Sequence, residues 1–142
     1  MAKSLLYRIF HAGALPDEIK QRLIDDGLIY LEESIGYSIT YINYKSPNWR
    51  FGYKKRIGKA SIGFSKTFFV AATQFNKFID LPIAHEKFAL LNFSIENNKL
   101  LIKYNANSFA DNRSGEVELR FNVKDVTPFN RFIDKNNYEA KR

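Results

Sequence analysis

The sequence predicts a mainly β protein with a short helix at each end, and three observations support this. Segments rich in β-branched and aromatic residues recur between residues 28 and 123, and turn residues separate them. In the last segment, 116–123, apolar and polar residues alternate, which is typical of a half-buried antiparallel strand. Amphipathic segments flank this region on both sides.

The N-terminal amphipathic segment covers residues 15–27. Ile19, Leu23 and Ile24 fall on one helical face, acidic residues occupy the first turn and Gly27 provides a stop. Residues 3–14 fit either a further helical turn or an extended arm. We therefore assign residues 1–27 to an N-terminal arm and helix.

The β region follows, with Gly36 as a bend or bulge between its first two segments and Ser46-Pro47-Asn48 as a break. The predicted strands are 28–31, 36–44, 60–64, 68–73, 77–81, 88–95, 100–104 and 116–123. Thr127 is then a predicted N-cap, with Pro128 at the first position of a helix that ends near residue 136. Residues 28–136 thus form the predicted β domain with its C-terminal helix, and residues 137–142 a polar tail.

The length of 142 residues fits one domain, and no composition shift marks a boundary within it. There is no cysteine, which excludes disulfides and thiolate metal sites. No signal-peptide pattern and no apolar run of about 18 residues is present. The sequence therefore predicts a cytoplasmic protein, with peripheral contact to a membrane if lipid is its partner.

The positive charge of the chain is local. Between Glu33 and Asp80 there is no acidic residue, while eight cations occur, so of 22 Lys and Arg only 22 − 8 = 14 remain to face 15 acids elsewhere. The eight are Lys45, Arg50, Lys54, Lys55, Arg56, Lys59, Lys66 and Lys77. A concentrated patch of this kind attracts anionic partners by steering and counterion release.

The segment from Lys45 to Arg56 is the predicted binding site. In an extended strand Trp49, Phe51 and Tyr53 project to one side, with Arg50 and Lys54 on the other, so aromatic and cationic surfaces are expected back to back. The candidate anion-binding residues are Lys45, Arg50, Lys54, Lys55 and Arg56. Trp49 is the candidate for membrane insertion or base stacking.

The order of strands followed by one helix resembles the bacterial pleckstrin-homology and GRAM-like domains. Gly63-Phe64-Ser65-Lys66-Thr67-Phe68-Phe69-Val70-Ala71-Ala72, followed by Phe78-Ile79-Asp80-Leu81-Pro82-Ile83, is similar to their hairpin and return strand. The resemblance implies an antiparallel barrel or two packed sheets closed by the C-terminal helix. It also implies that Lys45, Lys54 and Arg56 hold an inositol phosphate, as similar residues do in lipid-binding members. The leading helix is extra to that pattern.

The favoured interpretation is a non-enzymatic module whose basic hairpin contacts an acidic protein surface or anionic lipid headgroups. Single-stranded nucleic acid is a less favoured partner for the same surface. A second alternative is a small-molecule pocket or enzyme whose hydroxyls come from Tyr30, Tyr37, Tyr41 and Tyr104. A third is self-assembly through an exposed strand edge. The sequence predicts no particular oligomeric state.

No catalytic set of residues, metal site or cofactor is predicted. His11 and His85 lack ligand spacing, and His85 is expected in an exposed loop. The pairs Asp25-Asp26 and Glu32-Glu33 are expected to be solvated charges, because adjacent side chains diverge. The segment 111–115 is expected to be a turn instead of a calcium loop, since the terminal bidentate acid is missing.

Overall fold

A computed structural model describes residues 14–130 and residue 133. It is mainly β and antiparallel, with a helix before the strands. The elements are α1 (Asp17–Asp25), β1 (Leu28–Lys45), β2 (Arg50–Ser65), β3 (Phe68–Ala72), β4 (Lys77–Pro82), β5 (Asn92–Glu96), β6 (Lys99–Asn105) and β7 (Ser114–Phe121). Short 3₁₀ turns occupy Glu86–Leu90 and Ala106–Ser108. The strands are hydrogen-bonded in the order β4-β3-β2-β1-β7-β6-β5.

The chain divides into two compact units. Unit 1 comprises Met1–Gly36 and Gly58–His85, and unit 2 comprises Tyr37–Ile57 and Glu86–Arg142. The strands β1 and β2 each contribute residues to both units. The prediction of one domain is not tested by this division and stays a prediction.

Unit 1 is built around the apolar face of α1. Ile19 and Leu23 are buried on that face, as the helical period predicts, and they cluster with Val70 and Ala72 of β3. Gly27 has a φ of +81°, a left-handed conformation that favours glycine, so the helix ends where the sequence predicts. Burying a side chain such as Leu23 contributes about 1.5–3 kcal/mol, which holds the helix against the strands.

Unit 2 is built from aligned rows of side chains across β1, β7 and β6. Ile39 pairs with Leu119, and Leu119 pairs with Ile102, so one apolar residue of each strand lies in the same row. All three are buried. Because residues directly opposite each other share a sheet face, this row forms part of the core of the unit. Phe129, in the helical residues 127–130, is also fully buried.

Several predicted boundaries need correction. Gly36 does not divide two strands, since β1 runs unbroken through it, and the left-handed residue is Ser34, with a φ of 57°. The predicted strand 88–95 is a 3₁₀ turn followed by β5 from Asn92, because Phe88 and Leu91 are buried at a spacing of three residues. The last helix begins at Thr127, whose N–H donates to the Asp125 carboxylate. The predictions for residues 1–13, 131–132 and 134–142 lie outside the described residues.

Candidate anion-binding surface of the β1–β2 hairpin

A tight turn joins β1 to β2 and forms the tip of the hairpin. The backbone N–H of Ser46 donates to the carbonyl of Trp49 at 2.8 Å, and the N–H of Trp49 donates back to Ser46 at 3.4 Å. Pro47 and Asn48 between them are exposed, as expected for residues that favour turns. Residues 37–57 on both sides of this turn belong to unit 2.

Five of the eight cations between Glu33 and Asp80 lie in the hairpin and belong to unit 2. Lys45 is the last residue of β1 and Arg50 the first of β2, and both are exposed, as are Lys55 and Arg56. Among the described residues, none of Lys45, Arg50, Lys54, Lys55 and Arg56 forms an ion pair with an acid. The hairpin therefore carries positive charge that these parts of the chain leave unneutralised.

The other three cations lie in unit 1. Lys77 is 3.6 Å from Asp80, so part of its charge is neutralised there. Lys66 sits beside Gly27, where its side chain occupies the space that a Cβ would need. The basic segment seen in the sequence is thus shared between the two units.

The aromatic and cationic side chains of the hairpin do not lie back to back as alternation predicts. The Nζ of Lys54 lies 4.7 Å from the centre of the Phe51 ring, so this cation and this ring are on the same side. Phe51 stacks on Tyr44, with ring centres 6.1 Å apart, and also contacts Trp49. The charge of Lys54 is therefore partly engaged in a cation–π interaction, whose typical strength is about 0.5–1 kcal/mol at exposed sites.

Three large apolar side chains of this region stay exposed. Trp49 is 58% exposed, Tyr53 69% and Ile57 79%. Tyr53, Lys55 and Ile57 occupy alternate positions of β2 and so share one face of the strand. Large apolar side chains exposed on a strand that also carries unpaired cations are candidates for an interaction site.

A bulge in β1, which the sequence does not reveal, brings Tyr41 and Tyr44 together against Phe51 of the hairpin. Ile42 pairs with Glu116 and Lys45 with Ser114, so Asn43 and Tyr44 together face Gly115. Asn43 has a φ of 51°, and Gly115 a φ of +98°. The extra residue shifts the alternation by one, which brings Tyr44 to the same side as Tyr41, with their ring centres 4.9 Å apart.

Tyr104 belongs to the same side of unit 2. Tyr41 on β1 pairs with Val117 on β7, and Val117 pairs with Tyr104 on β6, so the two tyrosines flank one buried valine. Burial raises the pKa of Tyr104 to about 12 and also raises the pKa of Tyr41. These hydroxyls are therefore protonated hydrogen-bond donors at neutral pH.

Two arginines lower the pKa of these tyrosines and so oppose the effect of burial. The positive charge of Arg113 lowers the pKa of Tyr41 and Tyr104, and that of Arg56 lowers the pKa of Tyr37 and Tyr41, although burial outweighs both. Three of the four predicted pocket tyrosines, Tyr37, Tyr41 and Tyr104, are thus in unit 2. Sequence reasoning missed Tyr44 and Arg113, because their placement depends on the bulge and on the loop before β7.

The remaining predicted groups have structural contacts in unit 1. Tyr30, the fourth predicted pocket tyrosine, donates its hydroxyl to Glu32 at 2.5 Å, and Glu33 pairs with Lys20 at 2.7 Å. Asp26 accepts from the Ser65 hydroxyl and from the N–H and hydroxyl of Thr67. The adjacent carboxylates therefore have separate partners. The sequence predicted a solvated charge at Asp26, whereas its carboxylate accepts three hydrogen bonds.

His85 is exposed in the segment after β4, as predicted, and His11 lies outside the described residues. None of the described helices has the length and apolar character needed to cross a membrane. Comparison of the chain with family models, curated proteins and solved structures finds no match. The resemblance to pleckstrin-homology and GRAM-like domains accordingly stays a prediction.

Proposed function

We propose that the protein is a non-enzymatic binding module that docks on anionic lipid headgroups through its β1–β2 hairpin. The observation that carries this proposal is the exposure of Trp49, Tyr53 and Ile57 beside cations that pair with no acid in the described part of the chain. Binding to an acidic protein surface would require only the cations of the hairpin. The exposed apolar side chains favour the lipid interface.

The expected binding energies indicate that both cationic and apolar side chains are needed for membrane binding. Each cation close to an anionic leaflet contributes about 1 kcal/mol. The exposed Lys45, Arg50, Lys55 and Arg56 would then supply about 4 kcal/mol, which corresponds to a Kd of about 1 mM. Useful binding therefore requires apolar burial in addition, and insertion of the exposed side chains supplies it at about 25 cal/mol per Å².

Each apolar side chain suits this role in a different way. Trp49 lies at the end of the turn, directly before β2, and tryptophan is enriched at the level of lipid headgroups. Tyr53 has the same amphipathic character, whereas Ile57 is aliphatic and gains free energy only by leaving water. Lys55 lies between Tyr53 and Ile57 at alternate positions of β2 and so places a charge beside them.

Co-sedimentation with vesicles tests this proposal directly. Phosphatidylcholine vesicles with and without 30–40% phosphatidylglycerol are compared at about 0.1 M and 1 M salt, where the Debye length falls from about 10 Å to 3 Å. We expect binding to the anionic vesicles that weakens strongly at high salt. Because Trp49 is the single tryptophan of the chain, its fluorescence should shift to shorter wavelength when it leaves water.

Variants separate the contributions of charge and insertion. Lys55→Glu is expected to weaken vesicle binding by roughly tenfold or more, since it replaces one attraction by one repulsion of about 1 kcal/mol each. Lys99→Glu is the matched control, because Lys99 is also exposed in unit 2 but lies at the start of β6. Equal binding to neutral and anionic vesicles, or equal effects of the two substitutions, contradicts the proposal.

Trp49→Ala tests insertion separately. It should reduce vesicle binding at low salt while leaving the salt dependence unchanged, since it removes apolar contact but no charge. If the protein instead binds acidic proteins and does not bind vesicles of either composition, the lipid assignment is wrong.

A further inference from the structure

We propose that the outer edge of β2 at residues 50–57 binds an extended acidic peptide, which adds to the sheet as a further strand. This inference does not rest on membrane docking by the hairpin. Docking uses side chains of the turn and of one strand face, whereas strand addition uses the backbone N–H and carbonyl groups along the edge. The two proposals can therefore fail independently.

The edge is free because β3 pairs only with the far end of β2. Residues 61–64 of β2 lie opposite residues 69–72 of β3, and both stretches belong to unit 1. On its other side β2 is hydrogen-bonded to β1. Residues 50–57, in unit 2, thus have a strand partner on one side, and no described strand lies on the other.

The backbone groups along this edge are not taken up by a turn or loop of the described chain. The turn bonds between Ser46 and Trp49 end just before the segment, and no described loop residue bonds to the backbone of residues 50–57. In an antiparallel pair, the N–H and carbonyl groups of alternate residues point to the same edge. Alternate residues of the segment therefore offer a donor and an acceptor to an incoming strand.

The outer edges of the two terminal strands, β4 and β5, are less suited to strand addition. β5 is five residues long, and β4 is six residues long and ends in Pro82, which has no N–H to donate. Asp80 of β4 is also held in ion pairs with Arg22 and Lys77. Residues 50–57 form a longer stretch and contain no proline.

The hairpin holds this edge in place before a partner arrives. Phe51 stacks on Tyr44 of β1, with ring centres 6.1 Å apart, and its ring centre lies 5.9 Å from that of Tyr41. These contacts fix β2 against β1 near the start of the segment. Because the edge is preorganised, a peptide that binds there pays mainly for its own ordering.

The segment also has room for a second backbone. A Cβ added at Gly52 would meet no atom within 4 Å. Glycine inside a strand is typical of positions that another backbone approaches closely. Tyr53 and Ile57 are exposed and are of types that favour strands, so they offer cross-strand contacts to apolar side chains of the added strand.

The charge of the edge selects an acidic occupant over a second copy of the chain. Lys54, Lys55 and Arg56 are consecutive, and no described acid pairs with them. Acidic side chains opposite them would be attracted, because directly opposed residues of neighbouring strands interact. In a two-fold pair centred on Lys55, that lysine would face its own copy and Lys54 would face Arg56. Such like-charge contacts are destabilising, and lysine at an edge is a typical guard against self-pairing.

A synthetic peptide of the same length as the segment tests the proposal. It carries glutamate at the positions opposite Arg50, Lys54, Lys55 and Arg56 in an antiparallel pairing, valine or threonine elsewhere, and blocked ends. Two further peptides carry N-methyl groups, one on its odd-numbered residues and one on its even-numbered residues. Since only one set of N–H groups faces the protein, we expect their affinities, measured by fluorescence anisotropy, to differ by at least about tenfold.

Amide hydrogen exchange measured by NMR locates the bound peptide. Alternate amides within residues 50–57 should exchange rapidly in the free protein, and the unmodified peptide should slow them by about tenfold or more. The amides of β6 provide the control, because β5 and β7 pair with its two edges, and their exchange should not change. If all amides of residues 50–57 are already protected without peptide, the edge is occupied and the inference is overturned.

Arg56→Gln tests the contribution of charge. It should weaken peptide binding by about two- to fivefold, as for the loss of one exposed cross-strand ion pair. Lys99→Gln is the matched control, since Lys99 is exposed in unit 2 but lies at the start of β6. Thermal melts verify that both variants fold. Equal effects of the two substitutions contradict the proposed pairing.

The outcomes separate this inference from the docking proposal. If the peptide binds with alternate protection of residues 50–57 but vesicles do not bind, strand addition stands and docking falls. If vesicles bind and the peptide does not, the inference is overturned and docking is unaffected. Equal affinity of the two N-methylated peptides, whether high or low, also overturns it. Protection of the edge that increases with protein concentration, together with growth in light scattering, would assign the edge to a second copy and overturn it as well.

Discussion

The cations of unit 1 that lie near α1 and β4 and those of the β1–β2 hairpin have different surroundings. Arg22 and Lys77 both pair with Asp80, and Lys20 pairs with Glu33. In the hairpin, Lys45, Arg50, Lys54, Lys55 and Arg56 pair with no described acid. Lysine and arginine side chains therefore form ion pairs within unit 1, whereas those of the hairpin remain available for a partner.

The difference follows from where the acids of the chain fall. The acid-free stretch between Glu33 and Asp80 includes the whole hairpin, so no acid is local to it in sequence. In unit 1 the fold brings acids from β1 and β4 beside cations of α1 and β4. Phe68 also packs on Arg22, with 4.8 Å between the guanidinium carbon and the ring centre. Substitutions should accordingly change stability in unit 1 and binding in the hairpin.

The largest expected effect concerns the bulge in β1, next to the turn of the hairpin. In Gly115→Ala the new Cβ would lie 2.4 Å from the carbonyl oxygen of Asn43, at a φ of +98°, so the bulge cannot persist unchanged. We expect a loss of roughly 3 kcal/mol in the free energy of unfolding, measured by urea denaturation. Gly52→Ala is the control, because a Cβ there meets nothing within 4 Å. Similar losses in both variants would contradict the role assigned to the bulge.

Asp80→Asn tests the difference between the paired cations of unit 1 and the unpaired cations of the hairpin. The side chain of Asp80 is 16% exposed and faces both Arg22 and Lys77, so its neutralisation leaves two cations without a counter-charge. We expect a loss of about 1–3 kcal/mol in unfolding free energy. Lys55→Gln in the hairpin should stay within about 0.5 kcal/mol of the unaltered protein. Equal costs in the two variants would remove the distinction between the regions.

The acid dependence of stability should come in part from Asp26 in unit 1. Its pKa is lowered by hydrogen bonds from the hydroxyls of Ser65 and Thr67 and from the Thr67 N–H. A carboxyl whose pKa is lower in the folded state stabilises the protein above the unfolded pKa of about 3.9, and this contribution disappears as pH falls through the folded pKa. Asp26→Asn should therefore be less stable than the unaltered protein at pH 7, and the gap should narrow in acid. A gap that does not vary with pH would rule out this linkage.

The smallest expected effect concerns the one hairpin cation with an aromatic partner. Lys54→Met removes the charge above Phe51 while keeping an apolar side chain, and should cost about 0.5–1 kcal/mol of stability. Lys55→Met is the matched change at the next residue and should cost less, since Lys55 is exposed. Thermal melts of the two variants at equal salt make the comparison. No difference between them would mean that the Lys54 contact contributes nothing.

Much of the fold was predictable because local patterns agree with the tertiary contacts. The period of Ile19 and Leu23 identifies the buried face of α1, and alternation in 117–121 identifies the buried side of β7. The predicted hairpin at 63–72 is confirmed by the pairing of Gly63 with Val70. In each case the side chains that follow the period are the ones that the neighbouring elements bury.

The candidate site was predictable in its residues and less so in its geometry. The unpaired charges of Lys45, Arg50 and Lys55 follow from the absence of nearby acids in the sequence. The contact between Lys54 and Phe51 does not, because strict alternation places them on opposite sides. Phe88 shows a related limit, since a short run of apolar residues does not distinguish a 3₁₀ turn from a strand.

Composition and periodicity therefore determined the mainly β class, the leading helix and the location of the basic segment, since each depends on neighbouring residues. The tertiary structure decided which cations meet an acid, and it brought Tyr44 beside Tyr41 and set Tyr104 across from them. The position of Tyr44 beside Tyr41 depends on one extra residue opposite Gly115, a register shift that reverses the direction of the side chains that follow it in β1. Such a shift arises from pairing between distant strands, and distant pairing leaves no periodic mark in the sequence.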